Sequence, residues 1–236
     1  MPMNASATNK TDTTDPTALI AALPEGAVVT DPDVLAAYAT DRTDVLEAGM
    51  PVAVVHARST DDVAVAVRWA YERDVAVVTR GAGSGLAGGA TATPGCLVVS
   101  VAKMNRILAI EPGNFLARVE AGVINGDLDR AAAEHGLMYA PDPSSMDIST
   151  IGGNIATNAG GLRCVKYGVT RQSVRSLTVV LADGRILRTG HDTVKGVSGL
   201  DLVGLFCGSE GTLGVITEAS VALVPRPAGD PVTLLA

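Results

Sequence analysis

Between Pro51 and Arg80 the chain alternates two kinds of apolar pattern. Pro51 to Ala57 (PVAVVHA) is an unbroken β-branched run, as a strand buried on both faces requires. DDVAVAVRWAYERD then carries Val63, Val67, Ala70 and Tyr71 at helical spacing, with Ser59 or Thr60 placed to cap the first turn. Val75 to Arg80 (VAVVTR) repeats the buried-strand pattern, so the order predicts a strand–helix–strand unit whose strands form a parallel pair. Upstream, Asp15-Pro16 before TALIAAL and Asp31-Pro32 before DVLAAYA put an acid and a proline at two helix starts. Residues 1–15 are polar and aperiodic and read as a disordered tail, and 16–50 as an N-terminal helical segment.

Beyond Gly89 the runs shorten. GCLVVSV, RILAIE and FLARVEAG, separated by turn residues such as Glu111-Pro112-Gly113-Asn114, read as a meander. Ile124 to His135 reads as a helix ended by Gly136, with His135 in its last turn. Ala140 to Val174 reads as irregular. VRSLTVVLADGRILRTG then gives two strands about the Asp183-Gly184 turn, and Thr212 to Pro225 a final strand. PVTLLA ends the chain as an apolar run with no turn after it, which reads as a strand belonging to a longer protein.

Composition narrows the function classes. At 236 residues and 47% hydrophobic content the chain is expected to fold, and a net charge of −7 with scattered basic residues leaves no footprint for nucleic acid. Cys96, Cys164 and Cys207 are odd in number and form no CxxC, which suits a reducing, cytoplasmic setting. His56, His135 and His191 have no ligand-type residue at zinc spacing, so no metal site is expected. The start MPMNASATNKTDTTDP has no leader pattern and no apolar run is long enough for a span, so neither export nor a membrane span is expected.

The 26 glycines carry the chemistry. Gly83 to Gly88 fits G-x-G-x-x-G after a strand, yet Pro94 and Gly95 forbid the helix a Rossmann turn must open, and Lys103 stands where the ribose-binding acid would be. What remains is a side-chain-poor loop, Arg80-Gly81-Ala82-Gly83-Ser84-Gly85-Leu86 and onward to Gly89, whose N–H groups can hold an anion. Arg80 either supplies charge or holds the loop. A second cluster, PDPSSMDISTIGGNIATNAGG from Pro141 to Gly161, brackets Asn154, Thr157 and Asn158 with glycine pairs. Neutral donors and acceptors beside bare backbone suit a planar heterocycle such as a flavin.

VTRGAGSGLAGG, PDPSSMDISTIGGNIATNAGG with Lys166-Tyr167-Gly168, and LFCGSEGTLGVITEA together resemble the FAD-binding (PCMH-type) domain of the vanillyl-alcohol-oxidase flavoproteins, over roughly Pro51 to Pro225. Within that superfamily they are similar to FAD-linked D-lactate dehydrogenases and glycolate oxidase flavin subunits. The resemblance implies an α+β fold of two lobes, about 51–120 and 121–225, with FAD between them, and residues 226–236 beginning a C-terminal cap domain. It implies that Arg80, Gly81, Ala82, Gly83, Ser84, Gly85 and Leu86 wrap the pyrophosphate. Pro141, Ser145, Thr150, Ile151, Gly152 and Gly153 would follow the phosphate, ribityl chain and ring edge. Thr157, Asn158, Ala159 and Gly160 would line the isoalloxazine, with Gly161, Gly168 and Val169 close by. Glu210, Gly211, Val215 and Ile216, from the last strand, would hold the adenosine side.

Two departures qualify the resemblance. The first loop has no His, where relatives with covalent flavin carry one, so non-covalent FAD is expected; Leu200 stands where such relatives usually have Tyr. Lys195 and Asp201 read as a loop charge and a helix cap, and Cys164, Met146, His56 and His191 as packing or loop residues. The expected function is an FAD-dependent oxidoreductase acting on a D-2-hydroxy acid such as lactate or glycolate, with a redox partner or acceptor. Its catalytic groups would lie mostly in the cap. An electron-relay subunit, or a sugar-alcohol or nucleotide-sugar flavoenzyme, is the alternative.

Overall fold

In the computed structural model the described residues are 14–43 and 47–229. The expectations for residues 1–13 and 230–236 lie outside them. The N-terminal segment forms α1 (Thr17–Ala22), β1 (Val28–Val29) and α2 (Pro32–Ala37). Asp31 Oδ1 accepts the Asp33 N–H as the α2 cap, and Asp15 Oδ1 accepts the Thr17 N–H ahead of α1. This segment is more than helical, because β1 adds an antiparallel edge to β2 (Ala53–His56).

The first sheet has the order β1-β2-β4-β3, with β3 Val77–Arg80 and β4 Leu97–Ser100. β2 and β3 both run parallel to β4, so the expected parallel pair is corrected: β4 lies between them and is not part of a meander. The reason is burial. Leu97, Val98 and Val99 are wholly buried, whereas β3 carries Thr79 and Arg80 and is half-buried throughout, so the more apolar strand takes the centre. Val54 and Val98 face a small cluster with Leu35 and Cys96, while Ala53, Val55, Leu97 and Val99 face the main core.

α3 (Thr60–Tyr71), capped by Ser59 Oγ on the Asp62 N–H, supplies the other side of that core. Val63, Ala66, Val67 and Ala70 join it, each full burial contributing up to about 1.5–3 kcal/mol for the larger side chains. Tyr71, read as a core position, is 63% exposed, and Trp69 is buried in its stead. The same core is shared by the second, antiparallel sheet, of order β5-β6-β10-β8-β9: β5 Ile107–Glu111, β6 Leu116–Glu120, β8 Val174–Val180, β9 Ile186–Gly190, β10 Val215–Ala222. Only β5 and β6 of the expected meander form a hairpin. The chain therefore crosses between the two sheets at 101–106. α4 (Asn125–Ala133), β7 (Leu137–Met138) and β11 (Val224–Pro225) close one side, with His135 beyond the α4 end.

The stretch from 140 to 174, expected to be irregular, contains α5 (Ile151–Thr157), α6 (Cys164–Tyr167) and α7 (Thr170–Ser173). Two glycines in its first turn give α5 poor intrinsic propensity, so tertiary contacts hold it. Thr150 Oγ1 accepts the Gly153 N–H, Ile151 is wholly buried, and the Gly152 N–H donates to the Ala121 carbonyl at 2.8 Å. A β-carbon on Gly152 would lie 2.6 Å from Ala121 Cβ, so glycine permits the approach. α8 (Leu202–Phe206), capped by Asp201 Oδ1 on the Gly204 N–H, completes this α+β fold.

Candidate functional site

The loop leaving β3 is built from backbone. None of the N–H groups of Gly81 through Gly89 donates to a protein acceptor among the described residues, and Gly83 and Gly88 hold φ values of +66° and +82°. Such a run of free donors is an anion-binding surface, and the Arg80 guanidinium packs against its Gly83. Arg80 holds the loop. Its Nη1 donates to the carbonyls of Thr40 at 2.7 Å and of Tyr38 and Ala90 at 3.3 Å, and its guanidinium lies over the Tyr38 ring. Burial lowers the Arg80 pKa.

Three glycines bring the sequence motifs together. A β-carbon on Gly81 would collide with Thr150 Oγ1, one on Gly211 would collide with Thr79 Oγ1, and one on Gly89 would lie 2.9 Å from Glu210 Oε2. Between these contacts opens a cleft of about 940 Å³, the open solvent at its mouth included. Two buried polar atoms in its wall have no protein partner: Ser149 Oγ and Asn154 Nδ2. A buried amide donor left unpaired costs about 1–3 kcal/mol, so these groups fit a bound molecule that offers acceptors. Of the charged side chains, Asp41, Arg80 and Glu210 line the cleft.

Arg80, Gly81, Ala82, Gly83, Ser84, Gly85, Ser145, Thr150, Gly152, Gly153, Thr157, Ala159, Glu210, Gly211, Val215 and Ile216 line this cleft. Glu210 and Gly211 do so from the turn before β10, not from a strand, with Glu210 at φ +53°. Eight expected residues do not line it. The Leu86 side chain is 76% exposed, and Pro141 is buried, its carbonyl accepting from Asn125 Nδ2. Ile151 points into the core and gives its N–H to Val123. Asn158 ends α5 in the left-handed region and accepts the Arg171 N–H. Gly160 packs near Val169, Gly161 against the Asp142 carbonyl and Gly168 against Gln172, so these four residues, Val169 included, shape the segment behind the cleft.

Asn154, expected as a donor and acceptor for a planar heterocycle, lines the cleft, and so do Asp41, Thr79, Ser149 and Gly214, to which the sequence gives no site role. Ser149 and Asn154 fall inside the second glycine cluster, where the hydroxyl series and the glycine pairs were the available signal. Asp41 has no local signal, since it arrives from the N-terminal segment.

A family model described as an FAD binding domain matches residues 51–190. The chain belongs to this FAD-binding family. The chain is 52% identical over 190 residues to the glycolate oxidase subunit GlcD of Bacillus subtilis, covering 80% of this chain and 40% of that protein. It is 45% identical to a D-lactate dehydrogenase of Anaerostipes hadrus over 75% of this chain and 37% of that protein. The chain thus spans about two fifths of the length of these curated relatives. Its fold superposes on an alkyldihydroxyacetonephosphate synthase with a TM-score of 0.77 at 23% identity, covering 89% of this chain and 40% of that one. Free loop N–H groups, two unpaired buried polar atoms and glycines that bring the three motifs together around one cleft all fit FAD.

Proposed function

We propose that this chain is the cofactor-holding part of an enzyme that oxidises a D-2-hydroxy acid of the lactate or glycolate kind. The observation that carries the reading is the convergence of the unpaired N–H loop with Thr150 and Glu210 around one cleft, in a chain whose relatives are named for such oxidations. In this reading Gly81 to Gly85 hold the diphosphate through N–H dipoles, with Arg80 fixing their shape. Ser145, Ser149, Thr150, Gly152 and Gly153 follow the chain of the cofactor, and Asn154, Thr157 and Ala159 reach its ring system. Glu210, Gly211, Val215 and Ile216 stand on the adenosine side. When bound, FAD accepts the hydride from the hydroxyl-bearing carbon. The group that removes the hydroxyl proton is not assigned to this chain.

Attachment is read as non-covalent, supported by the cleft lining, which contains no histidine among the described residues. The free thiols of Cys96, Cys164 and Cys207 support a reducing, cytoplasmic setting. Among the described residues no helix is long and apolar enough to cross a membrane. A redox partner is part of the reading because the Bacillus relative is named as a subunit.

The test is anaerobic reduction of the flavin in the longer protein that contains this chain. Loss of the oxidised-flavin band on adding D-lactate or glycolate, and not on adding polyols, is expected. Bleaching by polyols alone would move the assignment to a sugar-alcohol oxidase, and bleaching only by a reduced partner protein would move it to an electron relay.

A further inference from the structure

Residues 38–43 lie outside the segment matched by the family model, yet they are bound into the glycine loop from both ends. The Tyr38 and Thr40 carbonyls accept from Arg80 Nη1, at 3.3 and 2.7 Å. The Ala39 carbonyl accepts the Ala92 N–H at 2.8 Å, and the Arg42 N–H donates to the Gly85 carbonyl at 3.3 Å. Asp41 closes the set: Oδ2 accepts the Ala90 N–H at 3.3 Å, Oδ1 accepts the Thr91 hydroxyl at 3.0 Å, and Oδ1 also accepts the Thr43 N–H at 2.8 Å.

These bonds reach the loop at its start, its middle and its end. The loop itself has few side chains to hold a shape, with Ser84 and Leu86 alone larger than alanine, and its own N–H groups bond to nothing in the protein among the described residues. Glycine-rich backbone left in that condition samples many conformations, and only a few of them aim successive N–H groups at one point. An outside template must select among them.

We infer that residues 38–43 form a strap that fixes the Gly81–Gly89 loop in its anion-binding shape, with Asp41 as the positioning residue. Asp41 lines the cleft, but its carboxylate is committed to Ala90, Thr91 and Thr43; its negative charge makes it an unsuitable direct ligand for a diphosphate. It acts through the loop. The inference rests on the FAD reading for its consequence, not for its geometry.

The experiment compares the full chain with Asp41→Ala, Asp41→Asn and Thr91→Val. Two quantities are read: hydrogen–deuterium exchange without flavin of the Ala90, Thr91 and Ala92 N–H groups, the bonded ones at the loop's end, and FAD affinity by quenching of flavin fluorescence. Asp41→Ala should weaken FAD binding about tenfold or more, Thr91→Val by a few fold, and Asp41→Asn, which keeps an acceptor oxygen, should fall between wild type and Asp41→Ala. Exchange should rise at 90–92 and stay unchanged in β6, β8 and β10. Equal exchange at 90–92 in wild type and Asp41→Ala would overturn the strap, as would FAD affinity within twofold of wild type. An Asp41→Ala chain whose exchange rises everywhere would mark a general folding role and also overturn it. If the wild-type chain binds no FAD, the cofactor reading fails while the exchange comparison still decides the strap.

Discussion

Gly81 and Thr150, from two segments far apart in sequence, touch so closely that a single added carbon on Gly81 would strike the Thr150 hydroxyl. Thr150 Oγ1 also accepts the Gly153 N–H, so it cannot turn away without releasing the start of α5. The diphosphate loop and the second glycine segment are thereby set at a fixed separation. Gly81→Ala should force them apart, lowering FAD affinity at least tenfold while the fold persists. Fluorescence titration against circular dichroism checks both halves of that statement.

Gly152 makes the matching contact on the other side of α5. Its absent side chain leaves room for Ala121, whose Cβ would lie 2.6 Å from an added carbon and whose carbonyl would lie 3.0 Å away. Gly152→Val should cost about 1–3 kcal/mol by overpacking, seen as a lower urea midpoint with little change in slope.

The charged side chains lining the cleft, Asp41, Arg80 and Glu210, include just one cation, and Arg80 Nη1 is committed to three carbonyls. Attraction of the diphosphate therefore comes from short-range N–H dipoles. FAD affinity should change less than about threefold between roughly 0.05 and 0.5 M salt, because the net charge of the lining offers little for salt to screen. Isothermal titration at several salt concentrations reads this directly, and a steep loss would point to a cationic contact elsewhere.

Burial pushes the Cys207 thiol up to about 11, against a small opposing effect of Arg171, and burial also raises the Cys96 thiol. Both should resist alkylation at about pH 8, with Cys207 labelling appearing as the pH approaches 11. Mass spectrometry of iodoacetamide-treated native chain tests this. A raised thiol pKa in the folded state adds stability that is complete below the unfolded value and fades as pH climbs through the folded one.

At the acid end Asp192 behaves oppositely. Burial pushes its carboxyl up, but the hydroxyls of Ser220 and Ser176 and the Arg118 guanidinium outweigh this and hold it below the ordinary carboxylate range. Its stabilising contribution is therefore present above the unfolded pKa and is lost as pH falls through the folded one. Asp192→Asn should flatten the drop in melting temperature between about pH 4 and pH 2.

Much of this molecule is local enough to read from the chain. Ser59, Thr150 and Asp201 sit at helix starts and make the side-chain bonds their chemistry favours. Both glycine clusters stand out because bare backbone is costly unless something must come close. Strand order is different: nothing local to VAVVTR says that LVVS will slide between it and AVVH, because that choice depends on comparing the apolarity of whole strands. α5 was hidden for a related reason, since Gly152 and Gly153 argue against a helix that Thr150 and Ala121 then hold from outside. Ile151, Asn158 and Gly161 lie within the right motif yet serve its packing, a distinction set by which way the Ile151 and Asn158 side chains turn and by the Asp142 backbone packed against Gly161. Asp41 reaches the cleft from the segment after α2, through bonds to Ala90 and Thr91, a long-range effect with no sequence signature.

The most direct test of the whole account is the visible spectrum of this chain after mixing with FAD and removing the excess by gel filtration, taken before and after acid denaturation. About one oxidised flavin per chain, released into the supernatant on denaturation, with riboflavin retained far more weakly because it lacks the diphosphate, is the expected result. A chain that emerges colourless, or that keeps riboflavin as well as it keeps FAD, would contradict it.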